Sequence, residues 1–137
     1  MRAAVLYKIA SVLLLLFAAG HTFGFLHFTP PSVEGRAVYE SMNSVHFQVK
    51  GSSFSYGGFY RGFGLSITVN MLFLAFLSWY LGALAGSNPQ ASVALGWALC
   101  ALHVVSVVLS WVYFSAVPAT LSALVAICLG WAAYATT

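Results

Sequence analysis

His103 and His21 are the residues of this chain whose type and placement most invite chemistry, because each interrupts a long apolar run. An ionisable side chain at membrane depth is costly and marks a functional site by default. Two neutral imidazoles facing each other across a helical bundle could ligate haem or a transition metal. That requires His21 and His103 on facing surfaces, which their spacing does not dictate. No HExxH or CxxCH motif accompanies them, and no carboxylate lies in an apolar run. The simpler use of such a histidine is a hydrogen bond between helices, so the expectation is no cofactor. A haem- or metal-binding redox protein using His21 and His103 is the alternative. The chain contains no aspartate, and its two glutamates, Glu34 and Glu40, lie outside the apolar runs. A Ser-His-Asp arrangement is therefore absent, and proton-coupled transport lacks the buried carboxylate it usually needs. The expectation leans away from an enzyme.

Arg61 is the second pointed residue. The second apolar run begins there, so the sequence places a cation at the positive end of a helix dipole, where an anion is preferred. Glu34, Glu40, a lipid phosphate or the anionic head group of a ligand would compensate it. At 100° per residue Cys100, His103, Ser106 and Ser110 share one broad helical face, and Ser66 and Asn70 share another. Antiparallel alternation brings these and His21 to comparable depth, as one polar pocket opening towards the loop before Arg61. The candidate ligand-binding residues are His21, Tyr56, Arg61, Asn70 and His103, with Glu40 and His46 as a cap.

The composition says what must position them. Of 137 residues 61% are hydrophobic and 5% charged, against roughly 25% charged in a soluble domain. Five cations and two anions cannot cover a soluble surface of this size, and a lipid bilayer is the solvent in which such a chain is stable. The net charge of +3 comes without a basic stripe that could neutralise a run of phosphates, so nucleic acid is not an expected partner. Cys100 and Cys128 sit in apolar runs and read as small packing residues, with an interhelical disulfide as the alternative.

Four runs are long enough to consider as spans, about residues 3–28, 61–85, 91–114 and 119–134, in a single membrane domain. A span needs about 20 residues, so the last is short. Pro30-Pro31, the cluster Gly86-Ser87-Asn88-Pro89, and Ser115 to Pro118 punctuate them. The start of the chain imitates a secretory signal, but apolar character continues past Gly20 through Phe23, Phe25 and Phe28, so a retained helix is expected. Short turns predict an all-α, four-helix up-down bundle. Small residues at every fourth position, Ser92, Gly96 and Cys100, then Ser122, Ala126 and Gly130, allow the close approach that helices in lipid require.

The long first loop, 29–60, holds most of the charge. Val38, Met42 and Val45 follow helical spacing and predict a short amphipathic helix on the membrane surface or capping the bundle. The glycine- and aromatic-rich stretch at 51–64 reads either as a lid touching a ligand or as an aromatic belt where the chain re-enters the bilayer. An even number of spans puts both termini on one side. The basic flank carrying Arg2 and Lys8 makes that side cytoplasmic.

The stretches AAGHTFGF (18–25), FSYGGFYRGFGL (54–65) and ICLGWAAY (127–134) resemble a family of short bacterial four-helix integral membrane proteins. The resemblance covers nearly the whole chain and implies a bacterial inner membrane, but brings no activity, cofactor or site residue. In architecture alone the chain is similar to the DoxX-like group, which includes a small subunit of a quinol-oxidising complex. The expected function is a non-enzymatic membrane protein that binds a lipid-like or amphipathic ligand or serves as an accessory subunit. Its expected partners are membrane lipids, further copies of itself, or a larger membrane complex.

Overall fold

The structure, a computed structural model, describes residues 2–137. In chain order the elements are α1 (Arg2–Leu26), α2 (Val33–Ser44), β1 (His46–Val49), β2 (Ser52–Ser55), α3 (Tyr56–Ser87), α4 (Pro89–Tyr113) and α5 (Ala116–Tyr134). The protein is mostly helical. Four helices, α1, α3, α4 and α5, are long and apolar enough to cross a membrane, with 25, 32, 25 and 19 residues.

The helix ends depart from the sequence reading where prolines are involved. Pro89 opens α4 rather than preceding it, and Pro118 lies in the first turn of α5 rather than in the connection. The first turn of a helix has no use for the amide hydrogen that proline lacks. Because α5 starts at Ala116, it reaches about 29 Å at 1.5 Å per residue. Asn88 caps α4, its side-chain oxygen accepting from the Ala91 amide at 3.2 Å. Asn88→Ala is expected to cost about 1 kcal/mol, read as a lower midpoint of thermal unfolding in detergent.

The chain forms two compact units, one of residues 2–18 with 71–137, the other of residues 19–70. The first is a helical bundle. Its core joins Tyr7, Ala10 and Leu14 of α1, Ala75 and Leu81 of α3, Leu99 of α4, and Val125, Leu129 and Ala132 of α5. α4 and α5 pack closely and antiparallel: Gly96 lies against Ala133, and the Cys100 thiol donates to the Ala126 carbonyl at 3.3 Å. The small residues at every fourth position are thus consumed within the chain, and both cysteines are free thiols.

The bundle is inverted relative to a soluble one. Ser11, Ser78, Ser92, Ser110, Ser122 and His103 are buried with the alanines. Apart from the core residues just named, most of the large apolar side chains point outward, and the four tryptophans, Trp79, Trp97, Trp111 and Trp131, are 48–71% exposed. In water this arrangement would leave most of the apolar surface wet.

The second unit contains the end of α1, α2, the β-hairpin and the start of α3. Ser32 caps α2, accepting from the Gly35 amide at 2.9 Å, and Glu34 in the first turn suits the helix dipole. A hairpin lies where the residue pattern predicts loop, pairing His46 with Ser55 and Val49 with Ser52. Its two turn residues, Lys50 and Gly51, both have positive φ, 48° and 84°. That is the twist a two-residue hairpin turn needs. α3 then starts at Tyr56, so the 51–64 stretch is turn, strand and helix rather than loop. With 32 residues it is about 48 Å long, well beyond ~30 Å of hydrocarbon.

Candidate functional site

The second unit carries a cavity of about 260 Å³ lined by Phe25, Leu26 and Phe28, by Tyr39 of α2, and by Tyr60 and Arg61 of α3. Three segments converge on it. Phe25 and Tyr60 meet with ring centroids 5.3 Å apart, and Phe25 stacks on His21 at 5.7 Å. Beneath the rings, the Nε2 of His21 donates to the Gly64 carbonyl at 3.1 Å, and the hydroxyls of Thr22 and Thr68 lie 2.8 Å apart. These two polar links tie α1 to α3 just below the cavity.

Arg61 lies five residues inside α3, not at its N-terminus, so the dipole does not set its demand for an anion. What it has as a partner is an amide. The Asn43 side chain donates its own N–H to the Tyr39 carbonyl at 2.8 Å, which turns its oxygen towards Arg61, and that oxygen accepts from Nη2 at 3.2 Å. Glu34 and Glu40 are exposed, and among the described residues neither forms an ion pair with Arg61. A guanidinium offers five N–H donors, and most of those on Arg61 remain open to an incoming group.

The other residues singled out from the sequence fall elsewhere. Tyr56 lines a shallow apolar groove with Ala37, Val38, Ser41, Met42 and Val45. Asn70 donates to the Ser66 carbonyl of its own helix at 3.0 Å, and His46 bonds the Ser44 carbonyl at 2.7 Å. Glu40 is exposed on α2. His103 is buried in the first unit and its Nδ1 donates to the Leu99 carbonyl at 2.9 Å, which leaves the neutral ring's lone pair on Nε2. His21 belongs to the second unit. Among the described residues no group of three or more histidine, cysteine or carboxylate side chains could hold a metal ion. Of the candidate set, Arg61 alone lines the cavity, with His21 behind its wall.

Phe25, Phe28, Tyr39, Tyr60 and Asn43 were not singled out in the sequence. Tyr60 and Arg61 are adjacent in it, which was the one available signal. No family model, no curated protein and no solved structure matches the chain.

Proposed function

We propose that this chain is a non-enzymatic integral membrane protein that holds a lipid-like, amphipathic ligand by an anionic head group at Arg61. The bundle supports the membrane: serines, alanines and one histidine share its interior with Leu14, Leu81, Leu99 and Leu129, while the four tryptophans and most of the large aliphatic residues lie outside. Four crossings in up-down order place both termini on one side, and the basic flank of α1 assigns them to the cytoplasm. The bacterial inner membrane follows from the resemblance described above alone. The excess length of α3 over the hydrocarbon thickness supports a position for its first turns, with Tyr60 and Arg61, among the lipid head groups.

One observation carries the ligand. Arg61 opens into an aromatic cavity with a neutral amide as its protein partner, and no carboxylate of the described residues pairs with it, which leaves its charge available to an anion from outside the chain. At about 260 Å³ the cavity lies just below the range of about 300–1,000 Å³ typical of pockets that enclose a whole small molecule. A head group fits, with its chains left in the bilayer.

The test is native mass spectrometry of the full chain released from membranes in mild detergent. The wild type is expected to carry a bound lipid or anionic amphiphile, and Arg61→Ala to reduce its occupancy at least about tenfold, the equivalent of 1.4 kcal/mol. Equal occupancy in both proteins would remove Arg61 from the site, and a bare wild type would remove the site.

A further inference from the structure

The walls of the Arg61 cavity carry information beyond its charge. Four of its six lining residues are aromatic, Phe25, Phe28, Tyr39 and Tyr60, and Leu26 is its one aliphatic member. An acyl chain needs no rings and would be as well served by leucine. Ring faces carry negative quadrupole charge and attract cations, most effectively when water is excluded. Yet the cavity's own cation does not stack on them; Arg61 turns to Asn43 instead. A cavity with a guanidinium on one side and an aromatic wall on the other, and no carboxylate in its lining, matches a ligand that carries both charges.

The hydroxyls sharpen the anionic half. Neither the Tyr39 nor the Tyr60 hydroxyl is hydrogen-bonded to another described residue. Together with the guanidinium they supply donors from α2 and α3 to several oxygens at once. A phosphodiester offers more acceptor oxygens in more directions than a carboxylate, and guanidinium pairs with it bidentately.

Resting on the head-group reading of Arg61, we infer that the cavity takes a zwitterionic phospholipid head group. The phosphate lies on Arg61 with the tyrosine hydroxyls, and the ammonium, two carbons away, lies against the rings of Phe25, Phe28, Tyr39 and Tyr60. The ring contribution makes the site selective for such a lipid over one that has the phosphate alone.

Native mass spectrometry of the full chain, stripped of lipid and titrated with short-chain probes, tests this. Dihexanoyl phosphatidylcholine is expected to bind about tenfold tighter than dihexanoyl phosphatidylglycerol, with decanoate and inorganic phosphate weaker still. Tyr39→Leu should bring the two phospholipids to within about twofold. Phe28 is 55% exposed, so Phe28→Leu removes a ring with little loss of packing, and it should narrow the ratio even if the Tyr39 variant does not fold. Equal binding of the two phospholipids by the wild type would overturn the aromatic cage while leaving the anionic site in place. Decanoate binding as tightly as phosphatidylcholine would overturn the phosphate assignment, and inorganic phosphate binding as tightly would overturn the lipid. Absence of binding by every probe would overturn both this inference and the head-group reading beneath it.

Discussion

Replacing Gly96 by alanine is expected to destabilise the bundle by about 1–3 kcal/mol, the usual cost of overfilling a packed interior. A Cβ built on Gly96 would lie inside the van der Waals surface of the Tyr7 hydroxyl and 3.0 Å from Ala133 Cβ. Neither neighbour can retreat easily. Tyr7 is fully buried and its hydroxyl donates to the Ser92 carbonyl at 2.9 Å, one turn before Gly96 on the same helix. Ala133 belongs to α5, whose backbone is pinned against α4 by the Cys100 contact at Ala126. The glycine is therefore the point at which α1, α4 and α5 come together. The effect should appear as a lower thermal midpoint in detergent and faster proteolysis.

The mechanism can be separated from a general intolerance of α4. Tyr7→Phe removes the hydroxyl and keeps the ring, at a cost of about 0.5–1.5 kcal/mol for the lost hydrogen bond. Ser92 O remains an acceptor in the helix ladder, so no backbone group is orphaned. Alanine at position 96 should then cost less in the Tyr7→Phe background than in the wild type, with a coupling of about 1 kcal/mol. Rescue is partial, because the ring carbon bearing the hydroxyl would still lie 3.2 Å from the new Cβ. Strictly additive costs would mean that Ala133, not Tyr7, is what the glycine accommodates.

These contacts also show what the sequence could and could not disclose. The four long helices were legible in their apolar length, and Ser92, Gly96 and Cys100 announced a close approach by their spacing. That the approaching group would be the Tyr7 hydroxyl was not legible, since it depends on how α1 is rotated. The hairpin was hidden for a different reason. Its turn is Lys50-Gly51 rather than Asn-Gly or Asp-Gly, and β2 reads Ser-Ser-Phe-Ser, poor in the β-branched residues that announce a strand. Missing the hairpin moved the start of the next helix from Tyr56 to Arg61, and the dipole argument followed that error. The demand that Arg61 makes for a partner does not rest on the dipole, because a cation next to an apolar run needs a partner wherever the helix begins. The glutamates proposed for that partner lie in the right segment, but α2 turns Asn43 towards Arg61 and leaves both carboxylates on its exposed side.

Gly64→Ala is expected to close the Arg61 cavity to the head group proposed for it while leaving the fold in place. A Cβ at position 64 would overlap the Phe25 ring, at Cζ and Cε1. The ring is the far end of a flexible side chain, so it will move rather than break the helix pairing, at an off-rotamer cost of about 0.5–1.5 kcal/mol. Its escape is constrained. His21 stacks on the ring at 5.7 Å and is itself held by the Gly64 carbonyl, while Tyr60 leans on it at 5.3 Å. The open direction is the cavity that Phe25 lines, where the displaced ring would take up part of its about 260 Å³ and crowd a head group. Thermal stability should fall by no more than about 2 kcal/mol, but phospholipid occupancy by native mass spectrometry should fall about tenfold or more, 1.4 kcal/mol. Adding Phe25→Leu to Gly64→Ala shortens the displaced side chain and should recover part of the binding, which a general loosening of α3 would not allow. Full occupancy in Gly64→Ala, with the protein folded, would show that the ligand is held somewhere other than the Arg61 cavity.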